Sequence, residues 1–300
     1  MDMGASIITR LKNKAKTTGK PLQLYLQLFC QEEFLRRVSM SDFADNLILK
    51  GGLFIYMLTN FESRATIDVD FLLRHLPNNV EQIQDIVEKI LAVDTGNNFI
   101  TFESKGYEKI TLQHKYNGVS FQLIGRIKNT RTPFKVDIGV GDVIVPKPEK
   151  WIIPVQLPEF TAPKISTYSL ESTIAEKLDA ILQRLELTSR MKDFYDIYYL
   201  AHNFDLDGLK LQEAVFQTLQ NRGTVYDKDS IERIVAFADH SDMQTKWSQF
   251  LKRSKLPAME FAEVLNTIDE FLSPVWEAMT EEAEFFNEWS AERVKWRKEG

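Results

Sequence analysis

Asp68-Val69-Asp70 places two carboxylates in alternation, and Asp68 lies sixteen residues after the glycine pair Gly51-Gly52. In a strand the side-chain period is two, so both aspartates project from one face. Carboxylates that close repel one another unless a cation sits between them. Magnesium supplies that charge and keeps positions open for phosphate oxygens. Glycines at the start of a helix let phosphate oxygens approach bare backbone N–H groups without a β-carbon in the way. The combination is the chemistry of holding a nucleoside triphosphate with its magnesium.

Such a site needs a third acid, to hold a second cation and to take the proton of an attacking hydroxyl. Asp137 is the candidate, within Phe134-Lys135-Val136-Asp137-Ile138. Its alternation sets Lys135 and Asp137 on the face opposite Phe134, Val136 and Ile138, and antiparallel neighbours are expected to bring it beside Asp68 and Asp70. Asp142 is a rival, but Gly139 and Gly141 put it past the regular strand. Further along, Leu170, Ile174, Leu178, Ile181 and Leu185 form a helical stripe with Lys177 at its edge and Glu176 and Asp179 outside it. A lysine on a buried side needs an anionic partner or a polar cavity, and a triphosphate would serve. Asp193 falls in the first turn of the helix opened by Arg190-Met191-Lys192, where negative charge suits the helix dipole. It is placed to cap that helix, to pair with Lys177, or to orient Lys177 toward phosphate.

The elements that must position these groups are legible in outline. Leu22, Tyr25, Leu26, Phe29 and Cys30 recur at helical spacing over 22–37. Leu47-Ile48-Leu49 leads through the glycine pair into a short helix apolar nearly all round, hence buried. Residues 64–73 alternate as a strand, with Ile67, Val69 and Phe71 expected to face the core. Residues 80–93 are helical. Strands follow near 99–104, 108–114, 119–127 and 134–140, broken by Gly106, by Asn117-Gly118 as a hairpin turn, and by the 129–133 connection. Consecutive strands with short turns predict antiparallel pairing, with helices packed on the sheet. Five of the ten prolines fall between Pro146 and Pro163, which reads as an extended connector, and helical patterns dominate from about 168 to the end. The expected organisation is an N-terminal helical segment (1–45), a core (46–145), a proline-rich connector (146–167) and a C-terminal helical domain (168–300).

With 300 residues and 44% hydrophobic content the chain can bury a large core. No apolar run of about eighteen residues predicts a membrane span, and the basic N-terminus lacks the apolar stretch of a secretory signal. Cys30 is the only cysteine, so no intrachain disulfide can form, and a reducing cytoplasmic setting is expected. The net charge of −6 is uneven: residues 1–30 carry +4 and residues 105–135 carry +6, leaving −16 elsewhere. Two basic segments on an acidic protein allow local contact with a polyanion.

Taken together, Leu49-Lys50-Gly51-Gly52, Arg64-Ala65-Thr66-Ile67-Asp68-Val69-Asp70-Phe71, Val136-Asp137-Ile138, Glu176-Lys177-Leu178-Asp179-Ala180 and Arg190-Met191-Lys192-Asp193-Phe194-Tyr195-Asp196 form an ordered set over 49–196. In that set the chain resembles the AbiEii/AbiGii family of nucleotidyltransferase-like toxins of bacterial abortive-infection toxin–antitoxin systems. The resemblance implies an α+β fold: a polymerase-β-like nucleotidyltransferase core, with a mostly antiparallel mixed sheet and flanking helices, followed by a C-terminal helical domain. It implies that Gly51 and Gly52 approach the triphosphate, that Asp68 and Asp70 hold metal, and that Lys177 and Asp193 contact the nucleotide. Many nucleotidyltransferases carry serine as the second member of the glycine pair; Gly52 lacks that hydroxyl, leaving phosphate binding to backbone amides and Thr66.

The expected activity is transfer of a nucleoside monophosphate from an NTP to an acceptor hydroxyl, with two magnesium ions clamping the attacking and leaving oxygens. Asp68, Asp70 and Asp137 would bind metal and Lys177 would offset phosphate charge. Transfer RNA is the expected acceptor, growth inhibition the outcome, and a cognate antitoxin the partner. Two other readings are a catalytically silent nucleotide-binding module acting through a partner, and a small-molecule (antibiotic) nucleotidyltransferase.

Overall fold

Val69, Phe71, Val136 and Ile138 are fully buried, and between them in sequence stand Asp68, Asp70, Lys135 and Asp137, all partly accessible. That alternation divides the central sheet into an apolar face and a charged one. The structure, a computed structural model, describes residues 2–112, 115–185 and 188–298. They divide into two units, Met1–Gly141 with Glu149–Thr167, and Asp142–Pro148 with Tyr168–Gly300.

The first unit opens with α1 (Met3–Thr18) and α2 (Leu22–Met40). Strand β1 (Leu47–Lys50) runs directly into α3 (Gly51–Leu58), followed by β2 (Asp68–Leu73), α4 (Val80–Leu91), β3 (Ile100–Leu112), β4 (Lys115–Ile127), β5 (Thr130–Val140), β6 (Glu149–Ile152) and β7 (Lys164–Thr167). They form one mixed sheet in the order β3-β4-β5-β2-β1-β7-β6. The pairs β3–β4, β4–β5, β1–β2 and β6–β7 are antiparallel, while β2–β5 and β1–β7 are parallel. Helix α2 covers the apolar face. Its Phe34 ring lies 6.3 Å from Phe71 of β2, 6.3 Å from Phe102 of β3 and 6.1 Å from Phe134 of β5.

Helix α2 is buried on nearly every side, charged residues included. Arg36 donates to Glu32 at 2.7 Å, to Glu33, and to the Thr161 carbonyl at 2.8 Å. Glu33 also accepts from Asn97 at 2.7 Å and from Thr95, and Arg37 donates to the carbonyls of Leu91 and Ile100. These bonds tie the helix to the end of α4, the start of β3 and the segment before β7. Cys30 is buried in the same helix, and burial pushes its thiol up to about 12.

Three local expectations are corrected. The strand predicted over 64–73 begins only at Asp68, and Ile67 is 55% exposed rather than core-facing, its carbonyl held by Gln31 of α2 at 2.8 Å. The strands predicted as 99–104 and 108–114 are one strand, with Gly106 at a shift of register between Ser104 and Tyr107. Asn117-Gly118 lies within β4 rather than in a turn: Gly118 pairs with Gly139 in a conformation (φ +142°) whose missing β-carbon admits the Ile138 carbonyl. The β3–β4 connection falls between the paired Leu112 and Lys115, at two positions outside the described residues. The antiparallel pairing predicted for consecutive strands holds at β3–β4 and β4–β5, while β5 pairs parallel with β2, which is not its neighbour in sequence.

The second unit holds α5 (Leu170–Leu182), α6 (Met191–Asn203), β8 (Leu206–Asp207), α7 (Gly208–Arg222), α8 (Ser230–Val235), a 3-10 turn (Ala236–Asp239), α9 (Ser241–Ser254), α10 (Phe261–Thr280), β9 (Glu288–Ser290) and β10 (Lys295–Arg297). Ser169 caps α5 by accepting from the Ser172 amide at 3.0 Å, and its hydroxyl donates to the Val145 carbonyl at 2.6 Å. The stripe predicted from Leu170 to Leu185 outruns its helix, which ends at Leu182. No helix among the described residues is long and apolar enough to cross a membrane.

Candidate active site

The glycine pair stands at the junction of β1 and α3. Gly51 has φ +70°, a left-handed conformation that side chains rarely adopt, and a β-carbon there would strike the Asp70 carboxylate. At Gly52 a β-carbon would lie 3.1 Å from Arg64 Nη2 and 3.3 Å from Thr66 Oγ1. The glycine pair that opens α3 is therefore flanked by an aspartate at Gly51 and by a buried guanidinium with a threonine hydroxyl at Gly52. Unsatisfied N–H groups at a helix start, with the dipole behind them, favour an anion.

The carboxylates are organised by strand register. Asp70 is the direct partner of Asp137 across the parallel β2–β5 pair, and Asp68 is the partner of Lys135. On the flanks, Lys50 of β1 pairs with Asp70 and Ser120 of β4 pairs with Asp137. One row across the charged face thus reads Lys50, Asp70, Asp137, Ser120, and the next reads Asp68, Lys135, Gln122. Asp137 comes beside Asp70 through parallel pairing, not through the antiparallel neighbours expected from sequence.

Lys135 Nζ donates to Asp137 Oδ2 at 2.9 Å. Burial works to lower the Lys135 pKa, but the Asp137 bond and the charges of Asp137, Asp68 and Asp70 outweigh it and raise the pKa. The ammonium thus sits in the field of all three aspartates. Asp137 Oδ1 and Ser120 Oγ are both buried with no hydrogen-bond partner. Burying such oxygens unsatisfied is costly, and a bound divalent ion with its water would repay the cost. Among the described residues no three His, Cys, Asp or Glu side chains are clustered as a ready-made metal cage. The donor set still fits a hard cation: carboxylate oxygens only, one of them orphaned, around a point that already attracts positive charge.

Lys177 and Asp193 lie in the second unit. Lys177 is buried on α5 and bonds two carboxylates of α6, Asp196 at 2.5 Å and Asp193 at 3.3 Å. Of the three roles open to Asp193, the structure displays the pairing; Arg190, which also bonds Asp193, occupies the cap position. Burial acts to raise the Asp193 pKa, but Lys177 and Arg190 prevail and hold it below the ordinary carboxylate range. Asp179, expected outside the buried stripe, is fully buried: Arg222 of α7 reaches it at 2.8 Å, together with Glu176 at 2.8 Å and Asp142 at 2.9 Å. Asp142, the rival to Asp137, is thus engaged by Arg222.

Residues 33–273 match the nucleotidyl transferase AbiEii toxin family of type IV toxin–antitoxin systems. The chain belongs to that family. As an AbiEii-family protein it is a toxin nucleotidyltransferase, and the ordered residues of 49–196 fall inside the matched span. Its fold is similar to that of MenT4, a nucleotidyltransferase toxin from Mycobacterium tuberculosis H37Rv, with a TM-score of 0.52 at 14% identity over 93% of this chain and 99% of that one. JHP933 from Helicobacter pylori is also similar, with a TM-score of 0.48 and 14% identity over 87% of this chain and 93% of that one. No curated protein matches the chain.

Four residues of this AbiEii-family protein escaped functional reading from sequence. Arg64 stands in the quoted Arg64–Phe71 stretch, and its neighbourhood to Gly52 depends on the fold of residues 59–67. Asp196 follows Asp193 by three residues, the spacing of one helical face, and was legible in principle. Ser120 carries no local signal, because its place beside Asp137 is a matter of inter-strand register; alternation puts Lys135 on the face of Asp137, but only register sets it opposite Asp68.

Proposed function

We propose that the protein transfers a nucleoside monophosphate from a nucleoside triphosphate to an acceptor hydroxyl, with magnesium held by Asp68, Asp70 and Asp137. The observation that carries this reading is the register of the charged face, with Asp70 beside Asp137 and the glycine-led end of α3 against the Asp70 carboxylate. Bound magnesium would supply Lewis acidity and charge neutralisation at the phosphates. The chain's own groups do the rest. The amides of Gly51 and Gly52, with Arg64 and Thr66, hold and orient the phosphates. Asp137, whose Oδ1 has no partner, is the acceptor for the proton of the attacking hydroxyl. Lys177, poised between Asp193 and Asp196, offsets phosphate charge and is steered by Asp193. Preorganised charge of this kind accounts for most of the rate gain expected of such a site.

The proposed acceptor is transfer RNA, the proposed setting the cytoplasm, and the proposed partner a cognate antitoxin. The basic segments 1–30 and 105–135 support a polyanionic acceptor, since both belong to the unit that carries the aspartates. The test is incubation with each labelled NTP, magnesium and total transfer RNA, comparing the natural protein with Asp70→Asn. Label incorporation should fall by at least about 10²-fold while circular dichroism stays unchanged. Undiminished incorporation by folded Asp70→Asn would overturn the assignment.

A further inference from the structure

Lys135 has no role in the chemistry just described, yet its ammonium bonds Asp137 and its backbone position is the register partner of Asp68. Its side chain is 39% accessible, on a flexible four-carbon stem able to swing away without disturbing the core face beneath. We infer that Lys135 is a resident counter-ion that keeps a bare divalent cation off the acidic face, so that the cation binds together with the triphosphate and not before it. This inference rests on the cation role proposed above for the three aspartates.

Two effects of Lys135 oppose each other. By holding Oδ2 it leaves Oδ1 of Asp137 presented, which helps a cation; one such hydrogen bond is worth roughly a factor of two to ten. Against that, a positive charge kept by its Asp137 bond a few ångströms from a divalent ion, at an effective dielectric near 20, costs well over tenfold in affinity. Repulsion therefore wins while the site holds only protein charges. A triphosphate reverses the balance, because its several negative charges exceed the single charge of Lys135 and give the displaced ammonium a partner. Nucleotide and cation then bind with positive coupling, each strengthening the other by the same factor.

Manganese binding followed by electron paramagnetic resonance tests this without reference to turnover. The natural protein, Lys135→Met, Lys135→Gln and Lys135→Arg are titrated with Mn²⁺, alone and with α,β-methylene analogues of the four ribonucleoside triphosphates. The natural protein and Lys135→Arg should bind Mn²⁺ weakly alone and at least about tenfold more tightly with an analogue. The two neutral variants should bind Mn²⁺ alone at least about tenfold more tightly than the natural protein, with the coupling largely lost. Unchanged or weaker binding by both neutral variants would overturn the counter-ion role and leave the cation site standing. No Mn²⁺ binding by any of the four, even with nucleotide, would instead remove the cation reading on which the inference rests. Asp70→Asn added to Lys135→Met should abolish the gain; its persistence would place the ion elsewhere and overturn the inference too.

Discussion

At the level of single residues, the candidate site is a set of charges whose neighbours matter more than their identities. Lys177 is held by two aspartates, and Asp193 in turn by Lys177 and Arg190. Because the folded-state pKa of Asp193 is depressed, its ionised form stabilises the fold. That contribution is present in full above the unfolded-state value near 4 and is lost as pH falls through the lower folded-state value. Urea denaturation of the natural protein between about pH 5 and pH 2 should therefore show a loss of stability that Asp193→Asn reduces. An identical pH slope in the variant would mean that the Lys177 and Arg190 contacts do not hold that carboxylate in solution. Asp196 shares Lys177 at the shorter distance, so Asp196→Asn should weaken nucleotide binding even though no resemblance singled it out. Equal nucleotide affinity of the two proteins, by calorimetry, would remove Asp196 from the site.

Elements carry the site only because α2 carries the sheet. Its charged residues 32, 33, 36 and 37 are buried, so their pairing is not surface decoration. Removing one partner of a buried ion network leaves uncompensated charge in a low dielectric. Arg36→Met should accordingly cost about 3–5 kcal/mol of stability, read from chemical denaturation. A loss below about 1 kcal/mol would match an exposed pair instead. The apolar positions of α2 were plain from helical spacing, whereas the burial of its charges was not. Spacing tells which residues share a face; it does not tell that the opposite face meets α4, β3 and the segment before β7.

Across the molecule as a whole, the basic segments of the first unit are partly neutralised. Lys128 pairs with Asp2, Arg10 with Glu159, and Lys105 and Arg126 with Glu103. The N-terminus of α1 also lies against Lys128, so the two basic segments adjoin. Lys12, Lys16, Lys109 and Arg131 are exposed. Transfer RNA binding should therefore weaken with salt, by about tenfold or more between roughly 50 and 200 mM, since each phosphate contact releases counterions. Salt-insensitive binding in that range would argue for an acceptor other than a polyanion.

Local periodicity settled a good deal in advance. Alternation put Asp68 with Asp70, and Lys135 with Asp137, on common faces. The glycine pair marked the start of α3, and the ordered residues of 49–196 pointed to the family. Covalent spacing and backbone geometry dictate such features within a few residues, so they survive whatever the rest of the chain does. Folding chose the remainder: β5 parallel to β2 in the register that sets Asp137 beside Asp70, Lys135 opposite Asp68, and Ser120 at the flank. More than sixty residues separate the two aspartates, and nothing in either strand alone encodes which of its neighbours it will pair with or in which direction. That choice belongs to the packing of the entire sheet beneath α2, where a one-residue slip would turn every acid into the core.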